Sequence, residues 1–139
     1  MRMRRTWLAV TVGLLVTGCG DVVEDAKDHL STTWSCPPER VEVTKRADVD
    51  GAALYRQSVR GATPPADVAA DPTRLAVFKQ NEEATIERAA ASFGNATIID
   101  GRGCGKEVRL ACFRRNKKSP GQPWFYCSDA PEPRKDVTQ

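Results

Sequence analysis

Four cysteines, Cys36, Cys104, Cys112 and Cys127, follow an N-terminal export signal, and together they constrain the fold of this chain more than any other feature. Arg2, Arg4 and Arg5 form a positive n-region, and Trp7 to Val16 form an apolar segment of ten residues. Such a segment suits a signal peptide and is too short to span about 30 Å of hydrocarbon as a stable helix. An exported chain folds where thiols oxidise, so an even set of cysteines predicts two structural disulfides. Three pairings are open, and the sequence chooses none of them. A link from Cys36 to any of the other three would close a long loop and pin the N-terminal strand to the C-terminal sheet. A four-cysteine zinc site is the competing account, but the sequence contains no CxxC pair; no metal or other cofactor is expected.

The fifth cysteine has a different context. Val16-Thr17-Gly18-Cys19 closes the apolar segment and resembles the lipobox of bacterial lipoproteins. Small residues before the cysteine let a peptidase approach an extended backbone, while the thiol takes a diacylglycerol thioether. Cleavage would then free the Cys19 amino group for a further acyl chain. The resemblance implies that residues 1–18 are removed, that Cys19 is the lipidation site and that the membrane is a partner through the lipid anchor. Each buried methylene contributes about 0.8 kcal/mol, so two or three chains hold a protein far more firmly than one myristoyl group. Lipoprotein sorting commonly uses Asp directly after the lipidated cysteine to retain a protein in the inner membrane. Here Gly20 takes that place and Asp21 follows it, which favours the outer membrane.

Cleavage also changes the charge. The chain has 21 basic and 18 acidic side chains, and three arginines but no acids lie in residues 1–18, leaving 18 against 18. A neutral mature domain has no global field to steer it toward nucleic acid, and export makes that partner less plausible still.

The remaining 121 residues suffice for one modest core. Residues 19–35 are expected to carry the anchor and then a tether or short helix, with Val22, Val23, Ala26 and Leu30 spaced for one face. Residues 36–127 form the disulfide-stapled domain. Cys36-Pro37-Pro38 sets an extended entry, Arg40–Lys45 alternates like a half-buried strand, and Trp34 is placed to pack near a disulfide. Ala52–Val59 suits a short helix, and a further turn is expected from Pro65 to Ala70. Asp71-Pro72 is the clearest helix start: an acidic cap precedes a proline at the first helical position. Leu75, Phe78, Glu82, Ile86, Ala89 and Phe93 supply its stripe, and Gly94 is expected to end it in a left-handed cap. Strands are expected over Ala96–Asp100, Glu107–Phe113 and Pro123–Cys127, with Gly101 to Gly105 interrupting the first pair. Residues 128–139 read as a flexible tail. The fold class is therefore α+β, a small antiparallel sheet of about four strands with one long packed helix and two disulfides.

Arg102 through Lys118 carries seven basic residues against one acid, Glu107. Arg114, Arg115, Lys117 and Lys118, with Trp124 and Tyr126 close behind, are the candidate anion-binding residues; the ligand would be an envelope glycan, a lipid headgroup or an acidic protein. A hydrated hairpin turn is the simpler account of the same residues. Other chemistry has less support. His29 is the one histidine and lacks a convergent partner set. Asp48, Asp50 and Gly51 lack full EF-hand spacing. Gly101-Arg102-Gly103-Cys104-Gly105 lacks the spacing and lysine of a phosphate loop. Glu83 and Glu87 read as part of a solvated helix face. No nucleophile elbow flanks Ser58 or any other serine, so no catalytic residues are assigned.

Trp34-Ser35-Cys36-Pro37 through Val43, then Gly103-Cys104-Gly105 and Leu110-Ala111-Cys112, resemble a family of small exported proteins common in myxobacteria, with Leu110 in place of the usual aromatic. The resemblance spans residues 34–127 and implies a small disulfide-linked domain without an activity to transfer. The resulting expectation is an envelope lipoprotein, noncatalytic, with a structural or protein-interaction role; anion binding is the alternative.

Overall fold

The computed structural model describes residues 20–134. The expectations for the signal peptide, for Cys19 and for the tail beyond Arg134 lie outside the described residues. The chain forms α1 (Val22–Trp34), β1 (Glu42–Lys45), α2 (Gly51–Ser58), α3 (Ala66–Ala69), α4 (Pro72–Gly94), β2 (Thr97–Gly103), β3 (Lys106–Arg114) and β4 (Phe125–Asp129). The strands make one open antiparallel sheet in the order β1-β2-β3-β4. The α+β class, the four strands and the long helix thus match the expectation. The cysteines pair as Cys36–Cys104 and Cys112–Cys127.

Of the two options for residues 20–35, tether or helix, the chain takes the helix. Asp21 caps α1 by accepting a hydrogen bond from Val23 N–H at 3.0 Å, and the cap satisfies a donor that a helix start leaves unpaired. Val22, Ala26 and Leu30 recur every four residues and are buried. They seal one sheet face in a core with Cys36, Val41, Ile99, Leu110 and Cys112, and Trp34 packs at its margin. Ser35 adopts a left-handed conformation with φ 50°, which stops the helix. The Cys36 amide then donates to the Ser31 carbonyl at 2.9 Å, and the Ser31 hydroxyl donates to the Cys36 carbonyl at 2.6 Å. The end of α1 is thereby tied to the first disulfide.

The opposite sheet face is covered by α2 and the C-terminal end of α4. Leu54, Ile98, Ala111 and Ala130 are buried there, with Phe93 and Phe113 against them. Tyr55 stacks on Phe93, Phe93 meets Phe113 edge-on and Phe113 stacks on Tyr126, at centroid distances of 4.9, 5.5 and 5.3 Å. Upstream of Phe93, α4 runs along α2 and α3, and Leu75, Phe78 and Ile86 are only half-buried. Asp71 caps it as the sequence predicts, accepting from the amides of Thr73 and Arg74.

Several boundaries differ from expectation for local reasons. A 3-10 turn over Pro38–Arg40 delays β1, although Val41 still reaches the core. Gly94 is the last helical residue, and Asn95 follows with right-handed φ −87° and ψ −4° in place of a glycine cap. Tight bonds from Asn95 N–H to Ser92 and from Ala96 N–H to Phe93 lead the chain straight into β2. The glycines at 101 and 103 lie within β2, because neighbours crowd both positions: Leu30 lies over Gly101, and the Arg40–Val41 backbone runs beside Gly103. The turn comes at Cys104 and Gly105, whose φ values of 49° and 76° fit a two-residue type I′ hairpin. Finally, β4 is shifted to Phe125–Asp129, so the segment expected to be free from Ser128 stays attached. The Ala130 amide donates to the Arg109 carbonyl at 2.8 Å, and the Arg134 amide reaches Gln57 on α2.

Candidate functional site

Beyond β3 the chain turns through Arg114–Gly121 and returns as β4, which brings most of the sequence-selected cationic residues onto aromatic rings. The Arg114 guanidinium stands 5.8 Å and the Lys118 ammonium 5.4 Å from the centre of the Trp124 indole. Arg115 stands 5.1 Å from the Tyr126 ring. Cations within about 6 Å of a ring centre are attracted by its negative face. Arg114 and Phe125 form one register pair, whereas Tyr126 pairs with Phe113 and stacks on it toward the second core. Trp124, Arg114 and Lys118 form a surface cluster, Lys118 also lines a groove with Arg115 and Tyr126, and Lys117 is exposed on the same turn.

Residue 20 completes that cluster. A β-carbon placed on Gly20 would lie 2.5 Å from Trp124 Cδ1, so the backbone just before α1 rests on the indole. The amide of Phe125 donates to Asp25 on α1 at 2.9 Å and fixes β4 against the same helix. Beside this contact, Asp25, Asp28 and His29 on α1 face Arg115, Lys118 and Phe125 across a groove.

The rest of the basic run disperses along the strand. β3 has nine residues and spans about 27 Å, which carries Lys106 far from Arg114. Arg102 pairs with Glu42 across β1 and β2, and Arg109 pairs with Asp100. The charge near plus six in the sequence therefore never becomes one patch.

A second concavity, of about 580 Å³, lies on the α2 side of the sheet beside Ala130–Pro133. Its floor holds an ion-pair network that sequence reading missed. Asp100 accepts from Arg109 at 2.6 and 3.0 Å and from Arg46 at 2.6 Å, while Arg46 also forks onto Asp48 at 2.8 and 2.7 Å. Two guanidiniums thus meet two carboxylates, and the group is a neutral clamp across β1, β2 and β3. The hairpin turn at Cys104-Gly105 was the available signal, since it places Asp100 opposite Arg109. The Arg109 hydrogen bond, aided by Arg46, holds the Asp100 carboxyl below its ordinary range, and Arg46 lowers Asp48 to about 2. Both carboxyls titrate lower in the folded chain than in the unfolded one, so their stabilisation is complete above about pH 4 and disappears as pH falls toward 2. Urea melts across this range should show an acid-side loss of stability that is shallower in Asp100→Asn. Equal acid slopes in the two proteins would reject the clamp.

The alternative chemistries remain dispersed. His29 lies on α1 and Ser58 on α2, on opposite sides of the sheet, and the Ser58 hydroxyl donates to the Tyr55 carbonyl. Asp50 is occupied as the cap of α2, accepting from Ala52 N–H. Glu83 and Glu87 are both exposed on the helix face, and Glu87 is also bound by Arg56 through two bonds of 2.9 Å. Glu82, the acid in the apolar stripe of α4, accepts a hydrogen bond from Ala62 N–H. Among the described residues no group of three or more His, Cys, Asp or Glu side chains could hold a metal ion, and no helix is long and apolar enough to cross a membrane. No family model, curated protein or solved structure matches this chain.

Proposed function

We propose that this protein is an envelope lipoprotein anchored through Cys19, noncatalytic, with a structural or protein-interaction role. The observation that carries this reading is the absence of slack between anchor and domain. The lipobox cysteine is followed by Gly20, the Asp21 cap and then Val22, which is already buried in the first core. A domain joined to lipid in this way is held at the bilayer surface. A tethered domain would instead sample the space above it. The disulfides fit a chain folded outside the cytoplasm, and Gly20 at the sorting position favours the outer membrane.

Intact mass measurement of protein recovered from its native membrane tests this reading directly. The expected mass begins at Cys19, includes acyl chains and rises on reduction by the hydrogens of two disulfides. Protein that retains residues 1–18, or starts at Cys19 without lipid, would defeat the assignment. Separation of inner and outer membranes then tests the sorting expectation. Capture of an envelope protein by the lipidated form would support the interaction role.

Anion binding is a second reading, favoured by the convergence of Arg114 and Lys118 on Trp124. Envelope glycans, acidic proteins and lipid headgroups all offer suitable negative groups.

A further inference from the structure

We infer that Trp124, Arg114 and Lys118 form a membrane-contact surface that engages the anionic phospholipid headgroups of the bilayer holding the anchor. This rests on lipidation at Cys19. The contact between Gly20 and Trp124 narrows the choice of ligand: residue 20 lies directly on the indole, and Cys19 is one peptide unit away. Consecutive Cα atoms stand about 3.8 Å apart. Acyl chains leaving the Cys19 sulfur and amine must therefore enter the bilayer close to this ring. A soluble glycan would have no reason to bind at the anchor point, whereas headgroups are there by construction.

The side chains suit that position. Tryptophan settles at the boundary between hydrocarbon and water, where its ring is half in each phase. Lysine and arginine beside it can reach phosphates while their stems lie along apolar surface. Arg114 and Lys118 are exposed, and the indole is half-buried. The start of α1 carries four acids: Asp21 and Asp25 are directed to the amides of Val23 and Phe125, Glu24 is exposed, and Asp28 lines the groove shared with Lys118. Among the described residues neither Arg114 nor Lys118 is ion-paired to any of these acids, which leaves both cations available to an outside anion. Together, lipid and cluster provide two attachments on one side of the domain, which fixes its orientation on the membrane.

Processed protein contains two tryptophans, Trp34 and Trp124. Trp34→Phe leaves Trp124 as the reporter. This variant, in its lipidated form, is reconstituted into vesicles of phosphatidylcholine alone or mixed with phosphatidylglycerol, each with acyl-brominated lipid as quencher. The expected result is a blue-shifted Trp124 emission, quenched in the anionic vesicles. Added salt, or Arg114→Gln with Lys118→Gln, should return it to the value in neutral vesicles; an unchanged thermal melt shows that the double variant is folded. Each cation is expected to contribute about fivefold to headgroup association, so the pair contributes about 25-fold. Equal emission in both vesicle types, with acylation verified by mass, would overturn the engagement of anionic headgroups and leave the anchor standing. A mass without acyl chains would overturn both. An equal shift with dextran sulfate in detergent, without a bilayer, would reassign the cluster to soluble polyanions.

Discussion

Replacing Cys36 and Cys104 together by alanine is expected to lower the free energy of unfolding by about 4 kcal/mol. The bridge spans 68 residues, and the chain-entropy model assigns that much to the freedom a loop of this length regains. For a domain whose total stability lies in the range of about 5 to 15 kcal/mol the loss is large, and the thermal midpoint should fall by about 15 °C. The position of the bridge adds to the effect. Cys36 is buried, and the hydrogen bonds between Ser31 and Cys36 lock the end of α1 to it. Cys104 is at the tip of the β2–β3 hairpin. Its sulfur joins that tip to the segment leading into β1, an edge strand of four residues. Cutting the bridge removes the covalent tie of α1 and β1 to the β2–β3 hairpin, whereas Cys112–Cys127 joins residues already opposed in adjacent strands and closes a separation of 15. The shorter loop is worth about 3 kcal/mol in the same model. Urea unfolding of the two alanine pairs should therefore rank the long bridge above the short one. Equal midpoints for wild type and the Cys36/Cys104 variant would show that packing alone holds α1 and β1 in place.

What was legible in the sequence is what local chemistry decides. Asp71-Pro72 marks the start of α4 because a cap and a donor-free residue meet at one point. The alternation of Val108, Leu110 and Cys112 against Ala111 and Phe113 places these side chains correctly on two faces, because strand geometry leaves only two directions. The cationic turn was likewise visible as composition. Other features depend on contacts between distant segments. Gly101 and Gly103 look like strand breakers until Leu30 and the Arg40–Val41 backbone are brought beside them. Seven basic residues in one run suggest a patch, yet β3 carries them along its length and Glu42 and Asp100 neutralise two. The contact between Gly20 and Trp124 joins residues more than a hundred positions apart, so no local pattern announces it. It also ties the proposed anchor to the proposed membrane surface, and only the folded chain makes them one place.

The core over Gly101 supplies the second large effect. Leu30→Ala is expected to cost about 3 kcal/mol, because Leu30 is 2 % exposed and its removal leaves a cavity among Ile99, Leu110 and Cys112. Gly101→Ala should cost about 2 kcal/mol for the opposite reason: its new methyl group would overlap Leu30 Cδ1 on a sheet strand that cannot retreat. The two changes ought to compensate each other, since the methyl group introduced at position 101 enters the space that Leu30 vacates. In a double-mutant cycle measured by urea unfolding, the combined variant should therefore be more stable than the sum of the single losses, by about 1 kcal/mol or more. Strict additivity would mean that the methyl group introduced at position 101 does not press on Leu30. In that event the first core would be loose at its centre, and the rigid link from Gly20 through α1 to the sheet, on which the proposed orientation at a membrane depends, would not hold.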